Sequence, residues 1–417
     1  MENTRKKSYY YVLTVFLGTF MMFLGTQSSA GFSIIVNSLK STYNLTGTAS
    51  SFIFTAKNIC AFIFVMFANK YYEKLGLRLG IALSYVYGII GLLILRISNG
   101  SLVLIYLAAV FIGAMYAFCM ILPMALLIRT WFNKHRALCM AICSAGTGLS
   151  TYLLSPFLQS RIAAEGMNGA YNTLMIFFAV GAVVMFLLLR SKPSDVGLEI
   201  YGGEDYVDSA KKGVKKVALT KTNNAAVITF IICAGLIGFC APPAQQHLVL
   251  HFNAVGFDSM YVAKCYAYVG LALLISKPLL GVFSTKVPFG ILSVCYLALY
   301  IISYVICGFF GSAQWAPMVA CVVYGIGGPI CSLGYTNWVA DFSTIDDYSK
   351  KVKNAQLSYQ GCEILGSLVP GIIFDFTGSY GGYYIIAAVF TFIIAVCVIR
   401  FYAARNKWLL KHNKTAF

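Results

Sequence analysis

Apolar residues fill this chain in long blocks, and short polar stretches interrupt them at nearly even intervals. The blocks fall near 9–38, 48–69, 79–98, 102–126, 137–158, 169–190, 225–250, 260–283, 288–310, 314–340, 356–376 and 381–402. Each is about 20 residues or longer, enough for one helix to cross roughly 30 Å of hydrocarbon. The pattern therefore predicts an all-α integral membrane protein with twelve transmembrane helices. Segment 9–38 is too long for a signal-peptide core and opens a series of spans, so it is expected to be retained. The one long polar stretch, Arg190 to Thr222, separates six spans from six. The expected organisation is a six-helix half over 1–190, a central cytoplasmic loop over 191–222, a second six-helix half over 223–403 and a cytoplasmic tail over 404–417.

Composition agrees with a bilayer setting. Of 417 residues, 59% are hydrophobic and 11% charged, against roughly 25% charged in soluble globular proteins. Orientation follows from the basic residues, which accumulate in cytoplasmic loops. With both termini inside, 25 of the 31 Lys and Arg residues fall on the cytoplasmic side, whereas the outer loops hold Lys40, Arg96 and Arg161. A plasma-membrane protein with cytoplasmic termini is expected.

The formal net charge of +17 is distributed over short loops and forms no single basic face, so nucleic acid is not an expected partner. Anionic lipid of the bilayer is the natural counterpart. The 13 cysteines include no C-x-x-C pair and read as small apolar packers; no metal site and no cofactor are expected. No Walker-type phosphate loop, zinc-protease motif or paired-carboxylate arrangement occurs, so the chain is not expected to be an enzyme. Gly325-Ile326-Gly327-Gly328-Pro329 lies inside an apolar span and reads as tight helix packing with a proline kink.

Three lysines lie inside the blocks, Lys57, Lys264 and Lys277; Lys264 is nearer the outer face and can snorkel, whereas Lys57, Lys277 and the acid Glu363 change the picture. A charge in hydrocarbon is costly unless it faces a polar cavity, so each is a candidate functional residue. At 1.5 Å rise per residue, Lys277 and Glu363 both lie roughly 10 Å from the cytoplasmic ends of their spans and can meet.

The loop after the second block reads Asn69-Lys70-Tyr71-Tyr72-Glu73-Lys74-Leu75-Gly76-Leu77-Arg78. It resembles the loop signature of the major facilitator superfamily, Gly-x-x-x-Asp-Arg-x-Gly-x-Arg, with Glu73 and Lys74 at the acid–base pair, Gly76 and Arg78 matching, and Asn69 in place of the first glycine. The equivalent loop of the second half keeps Gly281 and Lys286 but has Thr285 for the acid. The resemblance implies two parallel six-helix repeats that rock around a midplane site, with these loop residues pinning one conformational state.

A finer resemblance rests on three segments. Trp131-Phe132-Asn133-Lys134-His135-Arg136-Ala137 with Ser144-Ala145-Gly146-Thr147-Gly148, Lys192-Pro193-Ser194-Asp195-Val196-Gly197-Leu198, and Ser276-Lys277-Pro278-Leu279-Leu280-Gly281 are similar to segments of oxalate/formate antiporters and monocarboxylate transporters. That similarity implies a carboxylate-binding role for Lys277. Glu363 stands where the oxalate carrier has a second base, which argues against a dicarboxylate clamp. Lys57 and Lys277 less Glu363 leave one positive charge, matching a monoanion.

The expected cavity adds Gln27, Tyr116, Gln245, Gln246, Tyr335, Trp338 and Tyr359 to Lys57 and Lys277, with Glu363 and His247 as proton-coupling candidates. Pro242-Pro243 is expected to break the seventh span and present Gln245, Gln246 and His247 at an unwound turn. His247 reads equally as a hydrogen-bonded structural histidine. The resulting expectation is a monomeric secondary transporter of a small organic anion, a monocarboxylate in particular, driven by protons or by a counter-anion. Efflux of drugs or metabolites is the alternative carrier reading, and a non-transporting sensor on a carrier scaffold is the alternative from another class.

Overall fold

The computed structural model describes residues 9–203, 219, 221–284 and 286–412. Residues 204–218 and 220 of the central polar stretch, Thr285, the basic residues Arg5, Lys6 and Lys7, and the last five residues lie outside the described residues. The chain divides into two compact units, Met1–Ser209 and Ala210–Phe417.

In the first unit, α1 (Tyr9–Gly25) passes through a 3₁₀ turn (Thr26–Ser28) into α2 (Ala30–Tyr43), and α3 (Gly47–Ile97), α4 (Leu102–Cys119), α5 (Ile121–Trp131) and α6 (Arg136–Leu188) follow. In the second, α7 (Asn224–Val255), α8 (Ser259–Phe283), α9 (Phe289–Phe309), α10 (Ala316–Gly327), α11 (Pro329–Phe342), α12 (Ile345–Thr377) and α13 (Gly381–His412) follow. Among the described residues, nine helical stretches are long and apolar enough to cross a membrane. Two of them contain two spans each: α3 leaves helical geometry at Gly76 (φ 71°) and α6 at Gly166 (φ 68°). Positive φ is inexpensive only for glycine, so one residue replaces each expected loop. With α10 and α11 as one interrupted span, the count is the expected twelve.

Side-chain caps start the helices where the polar punctuation predicts. Thr46 accepts from the Ala49 N–H before α3, Asn223 from Ala226 before α7, Asp258 from Tyr261 before α8 and Thr344 from Asp347 before α12. Such caps satisfy N–H groups that a helix leaves open. The last span continues to His412, ten residues past its expected end, so the described part of the tail is helical.

The same close contacts recur in both units. A Cβ added at Gly113 (α4) would overlap the Lys57 carbonyl of α3, and one added at Gly325 (α10) would fall 2.6 Å from the Val269 carbonyl of α8. One added at Gly146 (α6) would overlap the Thr19 carbonyl of α1, and one added at Gly366 (α12) the Phe239 carbonyl of α7. Span four thus lies backbone-close on span two as span ten does on span eight, and five on one as eleven on seven. Small residues that let helices approach in this way are the usual basis of membrane helix packing.

One expectation fails. Helix α7 runs unbroken through Pro242 and Pro243. Pro243 has no N–H for the Phe239 carbonyl four residues earlier. The Tyr383 hydroxyl of α13 donates to that oxygen at 2.7 Å and to Cys240 O at 3.0 Å, while Tyr324 donates to Ala241 O at 2.6 Å and Tyr384 to Ala244 O at 3.0 Å. Tyr383 from α13 thus replaces the donor that Pro243 lacks, the other tyrosine hydroxyls bind carbonyls nearby on the same helix, and Gln245, Gln246 and His247 sit on regular helix.

The segment after α6 is ordered against the α5–α6 junction. Trp131 Nε1 donates to Arg190 O, Asn133 N and Lys134 N donate to Tyr201 O, and Tyr201 N donates to Trp131 O. A single parallel bridge, Phe132 with Tyr201, results. The first of the three segments singled out in the sequence is therefore hydrogen-bonded to Arg190 and Tyr201, which flank the second.

Candidate functional site

The second unit gathers four of the expected residues around one that was not expected. Lys277 lies on α8, where its neighbour Ser276 donates to Ile326 O at 2.6 Å and holds α8 against α10. The Lys277 ammonium and the Glu363 carboxylate both lie within electrostatic range of the Cys331 thiol on α11. Tyr300 of α9 donates to Cys331 Sγ at 3.3 Å, and Tyr359 of α12 is a second hydrogen-bond partner of that thiol. Tyr335 lies within range of Glu363, and its ring is 5.5 Å from that of Tyr359, tilted by 31°.

Helix spacing explains the grouping. Cys331 and Tyr335 are four apart on α11, and Tyr359 and Glu363 are four apart on α12, so each pair shares one face. The same spacing in the sequence was the available signal for Cys331, but a cysteine in an apolar span most often packs.

The remaining candidates of this unit are placed differently. Ser367, one turn beyond Glu363, lies 3.1 Å from Gln246 Oε1 and 2.8 Å from Glu363 O, linking α7 to α12. Gln245 is half-buried beside it. His247 is fully buried with Nδ1 2.8 Å from Pro243 O; a carbonyl only accepts, so Nδ1 carries the proton. Trp338 packs fully buried against Phe230 and donates from Nε1 to Ser293 Oγ at 2.8 Å, so its polar tip is already engaged in the helix interior.

In the first unit, Lys57 is 1% exposed and its ammonium lies 5.1 Å from the Tyr116 ring centroid, a cation–π distance. Asn58 is buried beside it. Gln27 sits in the 3₁₀ turn that interrupts the first span; its Nε2 donates to Ser150 Oγ at 2.8 Å, and its buried Oε1 has no hydrogen-bond partner among the described residues.

Of the loop signature, Gly76 takes the positive φ and Arg78 makes the contacts. The Arg78 Nε donates to Phe186 O, its guanidinium lies 4.6 Å from the Phe186 ring, and its backbone N–H reaches Ser191 Oγ at 3.4 Å. Glu73 and Lys74 are exposed, as is Lys286 in the second copy. Gly281 has helical geometry and open space around it, so nothing in its surroundings demands glycine.

Each unit holds six spans with ionisable residues inside them, and the two units carry matching sets of glycine contacts. The sequence profile of the Major Facilitator Superfamily matches residues 15–352, and the chain belongs to that superfamily. Among solved structures it is similar to the nucleoside transporter NupG, with a TM-score of 0.71 and 13% identity over 94% of this chain and 98% of that one. It is also similar to a bacterial homolog of the human lysosomal transporter Spinster in an inward-facing, occupied conformation, with a TM-score of 0.64, 13% identity and coverage of 97% and 98%. At the sequence level, 74 residues are 31% identical to the riboflavin transporter RibJ of Trypanosoma brucei brucei (strain 927/4 GUTat10.1), a match covering 18% of this chain and 14% of that protein.

Proposed function

We propose that this transporter carries a small organic anion, a monocarboxylate in particular, across the plasma membrane through alternating access, as a monomer with both termini cytoplasmic. Lys277 is the anion site and Glu363 the proton-coupling group. The observation that carries this reading is that both side chains lie within electrostatic range of the Cys331 thiol, which Tyr300 and Tyr359 hydrogen-bond and which Tyr335 also neighbours. An arriving carboxylate competes with Glu363 for the lysine. The displaced Glu363 takes a proton, because an uncompensated charge inside a bilayer is expensive. Proton symport or exchange for a second anion would each complete the cycle. Lys57, under the Tyr116 ring, is a second cationic candidate, and Gln27 offers an open acceptor.

A second reading is favoured by the tilted, partly stacked Tyr335–Tyr359 pair, which suits a planar ring better than a short aliphatic chain. The names of the RibJ and NupG relatives point the same way.

Uptake into proteoliposomes separates the two. Labelled monocarboxylates, dicarboxylates, nucleosides and riboflavin are offered to the parent chain and to Lys277→Ala and Glu363→Gln, with and without an imposed pH gradient. Monocarboxylate flux that disappears in Lys277→Ala and loses its pH dependence in Glu363→Gln supports the first reading. Flux of ring solutes that survives Lys277→Ala replaces it with the second.

A further inference from the structure

A cleft of about 550 Å³ lies in the first unit, formed by α3 and α4, and its lining includes neither Lys57 nor Gln27. Its walls are apolar and aromatic, with Phe67 and Phe111 among them, and two cations, Lys70 and Lys74, stand at one end. Phe67 is 56% exposed and its neighbours Met66 and Ile63 are exposed as well, so this surface faces the lipid.

We infer that this cleft is a binding site for one anionic phospholipid, with an acyl chain along the aromatic slot and the phosphate against Lys70 and Lys74. Length supports the assignment. The lining on the part of α3 before Gly76 runs from Phe64 to Lys74, ten residues and about 15 Å at 1.5 Å each, which is one leaflet of a hydrocarbon core of roughly 30 Å, and Tyr87 joins it from the part after Gly76. Position supports it too: the lysines lie at the end of the span, where a headgroup sits.

Charge selects the lipid class. Lys70 and Lys74 are four apart on one helix, and like charges at that spacing repel; a phosphodiester between them removes the repulsion. No carboxylate lines the cleft. Glu73 is the acid nearest in the chain; it is exposed and outside the lining. A zwitterionic headgroup brings its own cation towards the two lysines, whereas a net-anionic one does not.

The test is native mass spectrometry of the full-length protein in detergent, titrated with phosphatidylglycerol and, separately, phosphatidylcholine of the same chains. Near a membrane surface a lysine contributes about a factor of five in affinity for anionic lipid, so two give a preference of about 25-fold. Lys70→Gln with Lys74→Gln, both at exposed positions, is expected to reduce the preference to about one while lipid still binds. Val110→Trp, which fills the slot and leaves the lysines in place, is expected to reduce retention of both lipids. Equal retention of the two lipids by the parent protein overturns the proposal, as does an undiminished phosphatidylglycerol preference in the double glutamine variant. If Val110→Trp does not fold, the glutamine pair still decides. Millimolar inorganic phosphate is expected to leave the thermal midpoint unchanged; a rise equal to that given by phosphatidylglycerol would assign the site to free phosphate.

Discussion

Replacing Tyr383 by phenylalanine removes one oxygen from a fully buried ring and keeps its shape. In α7 the Phe239 carbonyl has lost its helical donor to Pro243, and Tyr383 supplies the substitute at 2.7 Å. Without the hydroxyl that carbonyl has no donor on its own helix. A buried group left unsatisfied costs about 1–3 kcal/mol, while interhelical hydrogen bonds in membranes average about 0.6 and reach about 1.7 kcal/mol, because membrane-embedded alternatives also find partners. Here the nearest alternative, an N–H at position 243, does not exist. The upper part of the membrane range, about 1–1.7 kcal/mol, is therefore expected. The assay is reversible unfolding in mixed micelles of the parent, Tyr383→Phe, Pro243→Ala and the double variant. Alanine at 243 returns a donor to Phe239 O, so Tyr383→Phe should cost only a few tenths of a kcal/mol in that background, leaving a coupling of at least about 0.5 kcal/mol. An equal cost in both backgrounds would refute the idea that the tyrosine stands in for the prolines' missing donors.

Three further outcomes are expected. A negatively charged methanethiosulfonate reagent should inhibit transport by the parent chain and leave Cys331→Ser transport intact, with substrate slowing the reaction; inhibition of both alike would remove Cys331 from the site. Asp347, at the exposed start of α12, accepts from the Thr222 hydroxyl at 2.5 Å, and that bond, with the Thr344 hydroxyl and the nearby Lys351 and Lys350, lowers its carboxyl pKa. Because the folded value is the lower one, its stabilisation is complete above the ordinary carboxylate range near pH 4 and is lost as pH falls through the folded value; thermal midpoints of the parent and Asp347→Asn should differ at pH 7 and converge in acid, and a constant gap would contradict the assignment. Gly238→Ala should destabilise the second unit by about 1–3 kcal/mol, read in the same micelle assay, since its methyl would overlap the Tyr359 carbonyl; a neutral effect would mean that the two helices part without cost.

Much of this architecture was legible from the chain alone, because apolar run length is a direct record of bilayer thickness. Lys277 and Glu363 were legible for a related reason: charge inside such runs is costly enough to need a purpose. Cys331 was not, since its neighbours come from α8, α9 and α12 and a thiol carries no distinctive pattern. The Pro242-Pro243 pair misled because the hydroxyl that replaces the Pro243 donor arrives from Tyr383, 144 residues away along the chain. Trp338 illustrates the limit for amphipathic side chains. An indole N–H needs a partner wherever it is buried, and only the packing reveals that Ser293 already provides it.

The glycine contacts between α7 and α12 bear on how motion in this carrier can be measured. Gly238 admits the Tyr359 carbonyl and Gly366 admits that of Phe239, so the two backbones touch at two levels and leave no side-chain layer to slide or repack. Spectroscopic labels placed on the outer faces of these helices, across that seam, should report one separation through the whole transport cycle. They would provide an internal ruler against which every moving distance in the second unit can be calibrated.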